Sequence, residues 1–375
     1  MVPISGFVIK ISSRCNLNCS YCYEYNMGDD SWKSMPKTMS IETMSKVMDR
    51  IKEHSLKHDF NNISISLHGG EPLLVGIDKF KDYISVIKSN LDGYRYTIGM
   101  QTNATLIDQE FLNYFEENEI YVGLSYDGPP KVNDLNRYYH NGKGSSKDVE
   151  VALELLKDSK IFSGILTVID VNTNPIDTWH YLTQFEPPII DFLLPHANWD
   201  NPPLSHGEDD YVKYGDWMIS IFDDWFNGYK SHIRIRFFEE ILYRLFGQKG
   251  TLESLGTEEV GLITISSNGA YEQVDTMKSV YPGAQNIGLN INTNDLDEVL
   301  LQKGIKDRQT GKNGLCTKCQ NCKVVNICGG GYYPHRYSKI LEFDNPSVYC
   351  EDLYKLITHI EDAVILNTQK SQIKQ

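Results

Sequence analysis

A chain of 375 residues has room for about two domains, or for one large α/β body with an extension, and this excludes a short peptide or a coiled rod. With 41% apolar, 11% aromatic and 23% charged residues it has ample material for a core, so disorder is excluded for most of its length. Its 36 Lys plus Arg stand against 50 Asp plus Glu, a net charge of −14 that opposes association with nucleic-acid phosphates or anionic membranes.

No run reaches the ~18 apolar residues of a membrane helix. Met1–Arg14 lacks a basic-then-apolar leader, so a cytoplasmic location is expected. Along the chain, Phe7–Ile11 reads as a short buried strand that runs into a cysteine-bearing loop. Helical patterns follow at Ile41–His54, Phe80–Ser89, Phe111–Glu117 and Val149–Lys157. They alternate with strands at Ile63–Leu67, Tyr94–Met100, Tyr121–Tyr126, Gly164–Ile169 and Ile189–Leu194. Six β/α units before position 200 predict a parallel sheet with right-handed crossovers and a site at the carboxyl ends of its strands. Asn198–Gly207, rich in Pro, Asn and Asp, reads as a loop closing this body. Tyr211–Phe246 reads as core-facing helices, and the texture from Leu262 onward as irregular, with Lys370–Gln375 frayed. The expected division is therefore 1–200, a helical bridge over 201–260, and a cysteine-rich extension over 261–375.

The eight cysteines fall in two groups, Cys15, Cys19 and Cys22 near the start and Cys316, Cys319, Cys322, Cys328 and Cys350 near the end. Tight clusters with nothing between them read as metal or iron–sulfur sites rather than as bridges. Three thiolates on one loop are one fewer than a closed zinc site or a fully ligated 4Fe-4S cluster needs, so one iron would stay open to a ligand. The alternatives are plain thiols or a zinc knuckle that borrows a distant fourth ligand, with His68 the candidate. The second group, taken alone, also suits structural zinc.

Cys15-x3-Cys19-x2-Cys22, with Tyr21 before the last cysteine, resembles the signature of the radical S-adenosylmethionine (SAM) enzymes. The resemblance continues in order. His68-Gly69-Gly70-Glu71-Pro72 is similar to the family's Gly-Gly-Glu-Pro segment, which in relatives binds the amino group of SAM. Gln101-Thr-Asn103 and Ser125-Tyr-Asp127-Gly-Pro end the third and fourth strands. The resemblance implies that Tyr21, Gly69, Gly70, Glu71 and Asn103 contribute to the SAM site, that Ser125 meets the ribose or carboxylate, that Arg137 pairs with that carboxylate, and that Val168 lines the adenine. The fold it implies is a partial (β/α)6 TIM-like barrel with a cysteine-rich SPASM-like extension.

Cys319, Cys322 and Cys328 match the first three positions of the SPASM cysteine block, and Cys350 its last. The block's fourth cysteine is replaced by Tyr332, and the one expected before an aspartate is Val274. The resemblance therefore implies two 4Fe-4S clusters in total, one binding SAM and one auxiliary, with Cys316 outside the pattern. This reduced version is similar to maturases of ribosomally made precursor peptides, many of which forge cyclophane carbon–carbon links from a side-chain β-carbon to an aromatic ring. The expected reaction is hydrogen abstraction by a 5′-deoxyadenosyl radical followed by such a cross-link. Asp275 is expected to take the proton and an electron donor such as flavodoxin or ferredoxin to supply the cluster. Formylglycine formation in a sulfatase, epimerisation and thioether formation are the alternatives within the class, and a zinc-thiolate peptide-binding protein is the alternative outside it. His196, His335 and Arg336 are candidates for positioning substrate. The few residues ahead of the first strand leave no room for an amino-terminal leader-binding module, so precursor recognition is expected to use the core body or a separate protein.

Overall fold

The computed structural model describes residues 1–204 and 212–373; positions 205–207 of the expected closing loop, Tyr211 of the helical run, and the last two residues of the expected frayed tail lie outside the described residues. The first body is built from β1 (Gly6–Ser12), α1 (Ile41–His58), β2 (Asn62–Gly69), α2 (Ile77–Asn90), β3 (Arg95–Thr102), α3 (Gln109–Asn118) and β4 (Ile120–Ser125). It continues with α4 (Pro130–Asn136), α5 (Ser146–Leu156) and β5 (Phe162–Val168). Then come α6 (Pro175–Leu182), β6 (Ile189–Leu193), α7 (Lys213–Phe226), β7 (Arg234–Ile235) and α8 (Arg236–Leu245). The remainder is β8 (Leu262–Ile265), β9 (Ala270–Glu272), β10 (Asn286–Asn290), α9 (Leu296–Leu300), α10 (Lys303–Asp307), α11 (Thr317–Gln320), α12 (Val325–Cys328) and α13 (Cys350–Ile373). The six strands expected before position 200 are all present, and the core is a mixed α/β fold on a parallel sheet, consistent with a partial TIM-like barrel.

The chain divides into two compact units, Met1–Leu166 with Val260–Gln309, and Thr167–Glu259 with Thr310–Gln375. In the first, β1, β2, β3, β4 and β5 lie side by side in parallel, and β8 adds to the free edge of β1, also in parallel. β9 and β10 continue that edge in antiparallel fashion. The period of two along each strand separates two faces. On β2 and β3 the buried set is Ile63, Ile65, Leu67, Ile98, Met100 and Thr102, while the alternate positions Ser64, Ser66, Thr97 and Gly99 are small, polar or both. A closed barrel of this type fills its interior with branched aliphatics. Here the unburied face carries polar side chains instead, as a sheet that receives a ligand requires.

The irregular texture expected after Leu262 is corrected in two places. β8–β10 extend the sheet of the first unit, and in the second unit α13 runs unbroken from Cys350 to Ile373 rather than fraying at Lys370. Leu353, Leu356, Ile357 and Ile360 are fully or almost fully buried at helical spacing, each contributing roughly 1.5–3 kcal/mol of apolar burial. Gly215 on α7 allows the close approach of α13, since a Cβ there would lie 2.9 Å from the Asp352 carbonyl oxygen, and its N–H donates to Asp352 Oδ1 at 2.8 Å.

At the far end of α1, Asp297 of α9 gathers His54, His58 and Lys57. Its Oδ1 lies 2.9 Å from His54 Nδ1 and 2.7 Å from His58 Nε2, and its Oδ2 pairs with Lys57 Nζ. His54 Nε2 accepts the Ile4 N–H at 3.1 Å, so the neutral ring carries its proton on Nδ1 and donates it to Asp297. Although burial works the other way, Lys57 and His58 hold the Asp297 carboxyl down at about 2. Because that value is below the ~3.9 of an unfolded aspartate, the clasp stabilises fully above about pH 4 and is lost as the pH falls toward about 2. Asp297→Asn is therefore expected to melt a few degrees below the wild type at neutral pH, the gap closing in scans taken toward pH 2.

Candidate functional site

The loop after β1 is held from both sides. The N–H groups of Asn18 and Ser20 donate to the carbonyls of Tyr138 and Asn136, and His140 Nε2 lies 3.0 Å from the Cys15 carbonyl. Cys15 Sγ accepts from the Leu17 N–H at 3.4 Å and from Asn103 Nδ2 at 3.6 Å, so Asn103 at the end of β3 rests on the cysteine loop. Burial pushes all three thiols up, Cys22 to about 12, so a metal that binds here must displace their protons.

The two glycines at the end of β2 have a backbone reason. A Cβ on Gly69 would meet the Ser12 carbonyl oxygen at 2.0 Å, at a φ of +144°, and one on Gly70 would meet the Tyr25 hydroxyl at 1.8 Å and the Arg14 carbonyl oxygen at 2.5 Å. Gly70 N–H donates to Ser12 O and Glu71 N–H to Arg14 O, locking strand end to cysteine loop. The Glu71 side chain is fully buried; it accepts from the N–H groups of Leu73 and Asn103 and from the Thr102 hydroxyl. Gly70→Ala is expected to open this junction and to abolish anaerobic cluster loading, read as the loss of roughly four irons per chain.

Tyr21 donates to Asp127 Oδ2 at 2.5 Å and accepts from Arg137 Nη1 at 3.0 Å. The Arg137 side chain is buried, and its Nε has no hydrogen-bond partner, an orphaned donor of the kind that a ligand carboxylate satisfies. Ser125 Oγ accepts from Gln101 Nε2 at 2.9 Å; Gln101 finds room because Gly123 opposite it has no side chain. These residues, with the cysteine loop and Glu71, converge within the first unit. Val168 ends β5, half-buried, in the second unit.

Asp275 follows β9 and is buried. Tyr23 donates to its Oδ2 at 2.8 Å, and Lys10 Nζ and His68 Nδ1 lie 3.8 and 3.7 Å from that oxygen. Lys10 also pairs with Glu24 and, at 3.4 Å, with Glu272, while Lys278 meets Glu24 at 2.7 Å. Burial alone would lower the Lys10 pKa, yet Glu24, Glu272 and Asp275 hold it well above its usual range. Burial would likewise raise Asp275; Lys10, His68, Tyr23 and Lys278 bring it down to about 2. No motif singles out Lys10, Glu24, Glu272 and Lys278; the one signal for them in the sequence is a lysine inside the apolar run Phe7-Val-Ile-Lys-Ile11, which burial permits only with carboxylate partners.

In the second unit Cys319, Cys322, Cys328 and Cys350 line one cavity, together with Lys318, Val325 and Tyr354. Cys316 does not line it; it is buried among Leu315, Cys319 and Val325. Arg336 donates to the carbonyls of Gly329 and Gly331 and so braces the loop beside Cys328, where Gly329 approaches Gly256 too closely for any side chain. His335 is buried against Tyr332 and Tyr349, ring centroids 5.4 and 5.0 Å away, and burial keeps its pKa well below the usual range.

Among the described residues the one trio of His, Cys, Asp or Glu ligand atoms that all lie within 4.8 Å of one another is His54, His58 and Asp297. His68 belongs to no such trio.

Residues 9–180 match the model of the radical SAM superfamily. This stretch is a radical SAM domain, the chain is an enzyme using SAM radical chemistry, and the domain implies a 4Fe-4S cluster and SAM. Among known proteins the chain is similar to the cysteine-type anaerobic sulfatase-maturating enzyme of Clostridium novyi, 25% identical over 366 residues that cover 94% of this chain and 93% of that one. It is also similar to the radical SAM cyclopropyl synthase TigE of Paramaledivibacter caminithermalis, 23% identical over 94% of this chain and 73% of that one. The solved structure of native anSMEcpe with bound AdoMet and the Cp18Cys peptide superposes with a TM-score of 0.79 at 25% identity, covering 97% of this chain and 99% of that one. Among the described residues no helix is long and apolar enough to cross a membrane.

Proposed function

We propose that this enzyme oxidises a side chain of a peptide or protein substrate at its β-carbon, in the manner of the sulfatase-maturating enzymes it resembles from end to end. The observation that carries the reading is the buried Asp275, bonded to Tyr23 and set beside His68 and Lys10 in the same unit as the cysteine loop, Glu71 and Arg137. In this reading Cys15, Cys19 and Cys22 hold the SAM cluster, and Tyr21, Gly69, Gly70, Glu71, Asn103, Ser125 and Arg137, all in the first unit, form the SAM site. The bound cluster and SAM supply a 5′-deoxyadenosyl radical that removes a β-hydrogen. The chain's own residues do the rest: Arg137 offers its unpaired Nε to a carboxylate, Glu71 fixes the glycine turn, and the group around Asp275 manages the proton that oxidation releases.

Cys319, Cys322, Cys328 and Cys350 are assigned to one auxiliary 4Fe-4S cluster, the electron acceptor, and a flavodoxin or ferredoxin supplies the first electron. A second reading keeps the same steps but ends in a cyclophane cross-link on a ribosomal precursor peptide. It is favoured by Val274 and Tyr332, which stand where the resembling SPASM enzymes place cysteine ligands of a further cluster.

Anaerobic reconstitution followed by incubation with Cys-, Ser- or aromatic-containing peptides and mass spectrometry tests both. Formylglycine formation yields a product that reacts with a hydrazine reagent. A cross-link loses two hydrogens and stays silent to that reagent. About eight irons per chain and 5′-deoxyadenosine on reduction with SAM are expected, falling to about four irons with SAM cleavage abolished in Cys22→Ala, and to about four with SAM cleavage retained in Cys328→Ala. Stoichiometric zinc with no SAM cleavage would overturn the proposal.

A further inference from the structure

β1 and β2 are aligned so that Lys10 faces His68 directly, and residues paired across parallel strands point to the same side of the sheet. His68 thus stands on the polar face, at the strand end where ligands bind. Its Nδ1 is buried without a hydrogen-bond partner and lies 3.7 Å from Asp275 Oδ2. Nε2 is not among the buried unpartnered atoms, and the side chain keeps 23% of its surface exposed, so the ring's accessible edge carries Nε2.

Asp275 is poorly suited to accept the proton itself. It already accepts from the Tyr23 hydroxyl and the Thr276 N–H and faces the Lys10 ammonium. With its carboxyl held below the usual carboxylate range by Lys10, His68 and Tyr23, it is a weaker proton acceptor than a free imidazole. The other charged groups packed around it, Glu24, Glu272 and Lys278, are committed to one another and to Lys10.

We propose that His68 is the proton acceptor of this site, with Asp275 as the positioning residue that keeps the Nδ1–H tautomer and stabilises the imidazolium. This deepens the functional reading above and rests on it. After β-hydrogen abstraction, the substrate radical becomes a closed-shell product by losing one proton and one electron. The proton goes from the substrate S–H, O–H or ring C–H to His68 Nε2; the electron goes to a one-electron acceptor of the iron–sulfur class. The imidazolium then returns its proton to solvent along its accessible edge.

The test compares wild type with His68→Gln, His68→Ala and Asp275→Asn. In the wild type, 5′-deoxyadenosine and modified peptide form in a ratio near one, and product formation falls at low pH. His68→Gln is expected to keep forming 5′-deoxyadenosine while product drops at least tenfold, and added imidazole is expected to restore product in His68→Ala. Independently of turnover, the NMR titration midpoint of the His68 ring, assigned by its absence in His68→Gln, is expected to fall by at least half a unit in Asp275→Asn. Equal product and an unchanged low-pH limb in His68→Gln overturn the His68 assignment and leave the functional reading standing. A wild type that cleaves SAM but modifies no peptide overturns that reading, and the assignment with it.

Discussion

The site depends on a lysine that the sequence places in the middle of a hydrophobic strand. Lys10 is buried in β1, and its ammonium is tolerated only because Glu24, Glu272 and Asp275 surround it. These partners come from the cysteine loop, from β9 and from the turn that follows β9, so one charge ties β1 and the loop after it to a segment 262 residues away. Removing a single partner from such a buried group typically costs about 3–5 kcal/mol, whereas an exposed pair is worth under about 1 kcal/mol. That asymmetry makes the arrangement all-or-none, and it fixes where Asp275 stands relative to the end of β2.

Around that point the parallel sheet divides its labour by parity. The buried side chains of β2 and β3 are mainly Ile, Leu and Met, and the alternate positions carry Ser, Thr, Gly, His and Gln. The first set holds the fold and the second is left free for chemistry, with Gly123 making room for Gln101 and the Gly69-Gly70 pair making room for the backbone of the cysteine loop.

Much of this is legible in the sequence. Alternating strand and helix patterns give the six strands to within a few residues, because buried strands and amphipathic helices leave strong periodicities. Cysteine spacing marks both thiol groups, and the His68–Pro72 segment marks the end of β2. What escaped was non-local. β8–β10 are short and become strands because β8 adds to β1, β9 to β8 and β10 to β9, pairings that no local pattern announces. α13 carries its apolar positions Leu353, Leu356, Ile357 and Ile360 at helical spacing, but the preceding turn-rich stretch masks them. The charges around Lys10 escaped because each carboxylate, read alone, is an ordinary surface residue; only the fold brings Glu24, Glu272 and Asp275 together.

The return of residues 260–309 to the first unit bears on how such proteins can be cut and recombined. A fragment trimmed to the family match, residues 9–180, would keep the cysteine loop yet discard β8, Glu272, Asp275 and Lys278, leaving Lys10 with Glu24 alone. Swapping carboxyl-terminal halves between relatives would separate the same partners. The working module is therefore discontinuous along the chain, and exchange of parts within the family is constrained to variants in which both pieces change together.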